Sequence, residues 1–159
     1  MLLFSSALAK HQLTFTQLSD CMEHLTQAAT LVEEEWGYIR NLGVAEREKI
    51  MTKINKDLYI GTLNNQLIAM FALIDKETEL LPKTCELMYV YVEKDYRGLG
   101  FGRQIINEAK KLAVMKGAEL ILLDTLKPRL NRLYEKEGAE VFCENHLFSQ
   151  PTDVLKISL

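Results

Sequence analysis

The chain has no window approaching the roughly 20 apolar residues that a membrane span needs, and no positive excess: 19 Lys and Arg stand against 22 Asp and Glu, a net charge of -3. The first absence excludes a spanning helix and predicts no membrane partner. The second argues against a generic nucleic-acid binder and leaves an amine or other cationic acceptor electrostatically suited. Cysteine is scarce: Cys21, Cys85 and Cys143 are odd in number and lack metal-ligand spacing, which predicts reduced thiols in a cytoplasmic protein and no metal. His11, His24 and His146 are scattered without partner spacing. There is no repeat, low-complexity tract or linker. Met1 to Ala9 imitates a short signal peptide, but it has no basic n-region and its apolar run is brief, so an extra edge segment or ragged terminus is expected. With 159 residues, 48% hydrophobic and 26% charged, the chain is expected to be one domain, 1–159, with a single core.

What is present is organised around Glu86 to Gly117. Leu87-Met88-Tyr89-Val90-Tyr91-Val92 reads as a buried strand, and Ile105, Ala109 and Leu112, with Ile106 and Ala113 beside them, read as a helix that Gly117 ends. Between them lies Arg97-Gly98-Leu99-Gly100-Phe101-Gly102. A glycine-rich turn from strand to helix exposes the free N–H groups of the helix first turn and lets a ligand approach the backbone, which suits an anion. From Glu93 to Lys116 six Lys and Arg face three acids, a positive excess expected at the cradle. A plain turn is the bland alternative. No Gly-Lys-Ser/Thr follows, as a Walker loop requires, and the dinucleotide fingerprint fits only loosely.

The rest of the chain reads as a mixed α/β domain. A first strand ends near Leu18. Asp20 and Glu23 resemble a capping box before a helix carrying Met22, Leu25, Ala29, Val32 and Trp36. A second helix is expected from about Ala45 to Ile54, with Ile50, Met51 and Ile54 inward. Leu58 to Leu63 and Gln66 to Ile74 form an antiparallel pair across Asn64-Asn65. Asp75 to Thr84 reads as a loop able to overhang the site. Glu119 to Asp124 is a strand parallel to the central one, Lys127 to Glu137 a short helix, and Ala139 to Glu144 and Val154 to Leu159 two closing strands.

Several side chains invite chemistry. Glu86 stands near the start of the central strand, where burial would suit it to general-base work, against an exposed carboxylate or an ion pair as the alternative. Unpaired backbone groups of Val90, Tyr91 and Val92 could bind an extended ligand as an added strand would, and one N–H could polarise a carbonyl. Arg97 and Arg103 could contact phosphates or be merely solvated. Tyr134 lies on the last helix, whose buried side Leu130 and Leu133 mark. Asp124 and Thr125 read as cap residues. Glu33, Glu34 and Glu35 read as a solvated helix face, with the alternative that one lines an acceptor site beside Trp36.

Val92-Glu93-Lys94-Asp95-Tyr96-Arg97-Gly98-Leu99-Gly100-Phe101-Gly102-Arg103 closely resembles the acyl-CoA signature of the GNAT superfamily of N-acetyltransferases. Leu133-Tyr134-Glu135-Lys136-Glu137-Gly138 is similar to that family's second landmark. The resemblance covers Glu86 to about Phe142 and implies a GNAT-like mixed sheet of six or seven strands, flanked by about four helices, with a central parallel pair. It implies acetyl-CoA as co-substrate, its pyrophosphate on the N–H groups of Gly98, Leu99, Gly100, Phe101, Gly102 and Arg103 and its pantetheine along Val90 to Val92. Glu86, eleven residues before Arg97, would be the base acting on an acceptor amine, and the Tyr134 hydroxyl would protonate the departing thiolate. Lys127, Leu130 and Ala139 depart from the asparagine, alanine and phenylalanine frequent in relatives, so the usual side-chain contact to pantetheine is not carried over. A catalytically silent acyl-CoA sensor is the competing reading. The acceptor stays open among a protein amine, a polyamine, an amino acid and an aminoglycoside, as does a homodimer.

Overall fold

A computed structural model describes residues 11–76, 78–126, 128–147 and 150–159. The apolar stretch from Met1 to Ala9, and Lys127, fall outside the described residues. Among the described residues seven strands form one sheet in the order β1-β2-β3-β4-β5-β7-β6. They are β1 Thr14–Gln17, β2 Leu58–Leu63, β3 Gln66–Lys76, β4 Thr84–Val92, β5 Leu120–Thr125, β6 Ala139–Leu147 and β7 Gln150–Ser158. Four α-helices among the described residues flank it: α1 Leu25–Trp36, α2 Val44–Lys53, α3 Phe101–Met115 and α4 Pro128–Glu135. The expected strand and helix numbers and the central parallel pair are all found.

Alternation along the central strands sends side chains to two cores. One face of β3 and β4 (Ala69, Phe71, Leu73, Cys85, Leu87) packs on Ile105, Ile106, Ala109 and Ala113 of α3. The other (Met70, Ala72, with Ile74 and Met88) packs on Ala28, Ala29 and Val32 of α1 and Met51 of α2. The sheet is thus covered on both faces, and residues of β4 alternate between them. Asn64 and Asn65 take φ of 50° and 64°, the positive values a two-residue hairpin needs. Gly117 and Ala118 close α3 with N–H bonds to the carbonyls of Val114 and Ala113, the Schellman pattern.

Three expectations are corrected. Asp20 and Glu23 form no capping box: Leu18–Asp20 and Met22–His24 are separate 3₁₀ turns, and α1 starts at Leu25 without a side-chain cap. β6 and β7 run longer than expected, β7 lying between β5 and a largely exposed β6 at the sheet edge. On α4 the buried residues are Asn131 and Tyr134, whereas Leu130 is 43% exposed. No described helix is long and apolar enough to cross a membrane.

Candidate active site

β4 and β5 pair in parallel only at Thr84 with Leu120, Cys85 with Ile121 and Glu86 with Leu122. β5 continues beside β7 to Thr125, and β4 continues beside β3 to Val92. The two central strands therefore part company after Glu86, leaving one edge of β4 without a strand partner. A bulge lies just beyond the parting. Between Met88 and Tyr91 the register with β3 shifts, and Tyr89 takes φ of 51°, a left-handed value uncommon for an aromatic residue. The bulge re-aims the backbone of Tyr89 and Val90 at the point where the strands separate.

The chain then leaves β4 through a short turn, Lys94–Tyr96, and enters α3. Gly98 and Gly100 have φ of 78° and 91°, and a Cβ built at either position would meet nothing within 4 Å. Their positive φ favours glycine, while the space in front of them is open and no side chain fills it. The first intrahelical bond runs from Gln104 N–H to the Gly100 carbonyl. Among the described residues, the N–H groups from Gly98 to Arg103 have no internal acceptor, Gly100 gives no side-chain cap, and no acid stands in the first turn. Six donors at the positive end of α3 remain available to an anion.

The side-chain positive charge is directed elsewhere. The Arg97 guanidinium donates to the Val92 carbonyl at 2.8 Å, lies 3.5 Å from Glu35 and sits over the Tyr91 ring. Arg103 pairs with Glu137 at 3.0 Å, Lys110 donates to the Glu137 carbonyl, and Lys116 pairs with Asp57 and Asp75, each at 3.5 Å. The expected concentration of free cations at the turn is not what the structure shows: four of the six are engaged with acids or carbonyls. What the turn itself leaves unengaged is its row of backbone N–H groups.

Behind the parting of β4 and β5 lies a cavity of about 370 Å³ that brings together Glu86, Val90, Asp124, Thr125 and Tyr134. The loop from Asp75 to Thr84 does not overhang it, and instead lines a separate cavity of about 530 Å³. Glu86 is half-buried, its side chain 27% exposed, with the Lys76 ammonium 3.4 Å from its carboxylate, so the ion-pair alternative is realised in a residue that also reaches the cavity. Tyr134 is buried, and burial alone pushes its hydroxyl up to about 12. That hydroxyl has no hydrogen-bond partner among the described residues, and it is not sealed from solvent: no buried side-chain oxygen or nitrogen among them is left unsatisfied, so it is open to water or to a ligand in the cavity. Tyr91 is different: its hydroxyl, also pushed up to about 12 by burial, donates to Glu93 at 3.2 Å.

The far wall was not foreseen as a whole. Trp36, Ile39, Arg40, Leu42, Arg47 and Ile50, from α1, α2 and the segment between them, face Met88 and Tyr89 across the cavity. The segment is held by Arg47, which is buried: its guanidinium donates to Glu33 at 2.7 Å and to the Arg40 carbonyl at 2.6 Å, while Glu33 also accepts the Gly43 N–H at 3.0 Å. Arg47 was invisible in the sequence because its partner lies fourteen residues away on another helix. Glu33, Glu34 and Glu35 do not line the cavity. Asp124 and Thr125, read as caps, do. Thr125 donates to Asn131, whose amide donates to Asp153 at 2.9 Å, which fixes α4 to the ends of β5 and β7.

The Arg47 guanidinium holds the Glu33 carboxyl below its usual range. A depressed carboxylate stabilises the fold above its unfolded pKa, and that contribution is lost as pH falls through the lowered value. Arg47→Met is therefore expected to lower the unfolding midpoint by at least about 5 °C at pH 7, with the gap to the parent narrowing in acid. Circular-dichroism melts across pH check this, and a gap that is constant down to the acid limit contradicts it.

Residues 54–138, just over half of the chain, match the profile of the acetyltransferase (GNAT) domain. No curated protein matches the sequence. Solved structures with the same fold include a GNAT family acetyltransferase from Elizabethkingia anophelis with acetyl-CoA bound, 18% identical at a TM-score of 0.59, covering 70% of this chain and 82% of that one. An acetyltransferase from Streptococcus agalactiae is 18% identical at 0.72, covering 94% and 99%. The NatC complex bound to Gag peptide and CoA contains a chain 15% identical at 0.72, again covering 94% and 99%. With its parted parallel strands, its glycine turn and this match, the chain belongs to the GNAT acetyltransferase family.

Proposed function

We propose that this chain, acting as a single domain over 1–159, is an N-acetyltransferase that moves an acetyl group from acetyl-CoA directly to a primary amine. The observation that carries the reading is the meeting of Glu86 and the partnerless Tyr134 hydroxyl in one cavity, at the place where β4 loses its strand partner. The bound acyl-CoA of the Elizabethkingia protein and the CoA of the NatC complex support the choice of donor.

The residues of this chain fit such a donor. N–H groups from Gly98 to Arg103 would take its pyrophosphate, the free edge of Val90, Tyr91 and Val92 its pantetheine, and a β4 N–H near the bulge its thioester oxygen. The donor supplies an activated acyl carbon. Glu86, directly or through water, removes the proton from the acceptor amine, with Lys76 fixing the carboxylate. Tyr134 faces the departing sulfur. A hydroxyl pushed up to about 12 holds its proton more tightly than a thiol of ordinary pKa near 8.5, so hydrogen bonding to the developing thiolate is its larger contribution, with protonation completing the step. The reading assigns the protein to the cytoplasm, whose reducing conditions suit three unpaired cysteines.

The test measures acetyl-CoA affinity by calorimetry and acetyl transfer to a panel of amines by release of free thiol. Binding with transfer supports the enzyme. Binding without transfer to any amine makes the chain a sensor, and no binding removes both readings. A second expected outcome concerns Glu86→Gln. Turnover should fall by about 10²-fold at low pH, where few acceptor amines are neutral, and the loss should shrink as pH rises and the amine deprotonates unaided. A parent-like rate and pH profile would leave Glu86 as the structural partner of Lys76.

A further inference from the structure

The two sides of the cavity differ in chemistry. Toward Tyr134 it carries Asp124 and Thr125; toward α1 and α2 its wall is Trp36, Ile39, Leu42 and Ile50, with Met88 and Tyr89 opposite. The Trp36 ring lies 5.9 Å from that of Tyr89 and 6.4 Å from that of Tyr91, which makes this side a packed aromatic and aliphatic surface. None of the three acids of α1 serves it. Glu33 is held by Arg47, Glu35 lies 3.5 Å from Arg97, and Glu34 is exposed. Among the described lining residues the carboxylates are Glu86, beside Lys76, and Asp124, which accepts from the Thr152 hydroxyl at 3.0 Å. Two arginines, Arg40 and Arg47, stand in the same wall.

Resting on the transfer reading above, we infer that the acceptor is a monoamine with an apolar body, aliphatic or aromatic, presented either as a free amine or as the first residue of a peptide. Of the two lining carboxylates, Glu86 stands on β4 where the strands part, which provides for one amine, while Asp124 lies on the Tyr134 side and is engaged by the Thr152 hydroxyl. A second ammonium, as in a polyamine or an aminoglycoside, would enter an apolar wall in which no described acid stands to meet it, and would lose its hydration uncompensated. For the reacting amine the same wall is an advantage, since desolvation favours the neutral form whose lone pair attacks. In the step the nitrogen forms a bond to the acetyl carbon and the carbon–sulfur bond breaks. The electron pair stays on sulfur, and the proton lost by nitrogen balances the one gained by the thiol. Burial of the apolar body adds about fourfold in affinity per methylene.

Transfer from acetyl-CoA is measured with 2-phenylethylamine, a peptide with N-terminal phenylalanine, spermidine and kanamycin. The expected kcat/KM for one or both phenyl acceptors exceeds that for spermidine and kanamycin by at least about 10²-fold, and the better of the two identifies the source of the amine. Ile50→Glu, a helix-compatible change at a half-buried position of α2, is expected to narrow that ratio at least tenfold by placing a carboxylate in the wall. The chain's single tryptophan is Trp36, so its fluorescence in acetyl-CoA-saturated protein reports occupancy of the wall without any turnover. Tighter saturation by a phenyl acceptor than by spermidine upholds the inference even if transfer itself fails. Equal or tighter saturation by spermidine, spermidine or kanamycin turned over as well as the phenyl acceptors, or no fluorescence response to any of the four, overturns it.

Discussion

Gly100→Asp is expected to abolish measurable acetyl-CoA binding while the protein remains folded. The substituted Cβ meets no atom of the protein within 4 Å, so the fold is not pushed apart. Its φ of 91° strains a side chain by roughly 1–2 kcal/mol, and Asp is among the residues that bear such a conformation best. The carboxylate, however, occupies the space in front of the six free N–H groups and accepts from them, placing a negative charge where pyrophosphate would lie. A loss of at least about 10²-fold in affinity, equivalent to roughly 3 kcal/mol, is expected. Gly100→Ala carries the strain without the charge and should lose much less. Calorimetry on both, with a melt to confirm folding, decides the matter. Unchanged affinity in folded Gly100→Asp would remove the turn from the donor site, and equal losses in both variants would assign the effect to backbone strain.

The second large effect is expected from Tyr134→Phe. The ring packs in the main core and stays in place; the hydroxyl, which bonds to nothing among the described residues, disappears. Folding and acetyl-CoA affinity should therefore be nearly unchanged. Turnover should fall by about 10²-fold, the lower end for loss of a general acid and typical for loss of one donor to transition-state charge. The loss belongs in kcat, because the contact strengthens only as negative charge gathers on sulfur. A Tyr134→Phe protein with parent kcat would make Tyr134 a packing residue alone.

The glycine turn and its two flanking elements were legible because each obeys a local rule. A β-branched and aromatic run gives way to helical spacing, and glycines stand where the backbone needs positive φ. The hairpin at Asn64 and Asn65 was legible for the same reason. The bulge at Tyr89 was not, since a left-handed φ on tyrosine is imposed by register with β3 and by no preference of its own. The partners of the charged groups were not legible either. Arg97 and Arg103 are close in sequence to the turn, yet their guanidinium groups are drawn off by Glu35 and Glu137, both distant along the chain. An acceptor site beside Trp36 was considered, but with an acid of α1 lining it; Ile39 and Leu42 carry no signal in the sequence, and Ile50 reads as ordinary core. Only the parting of β4 from β5 turns that surface into a cavity.

The central claim, that an acyl-CoA lies across the α3 N-terminus and along the free edge of β4, is tested most directly by the backbone amide resonances of the protein as acetyl-CoA is titrated in. The account predicts that the largest and saturable shifts fall on Gly98 to Arg103 and on Tyr89 to Val92, with the amides of β1 and β6 unmoved. Saturable binding whose shifts cluster elsewhere, leaving the Gly98, Gly100 and Gly102 amides in place, would contradict it.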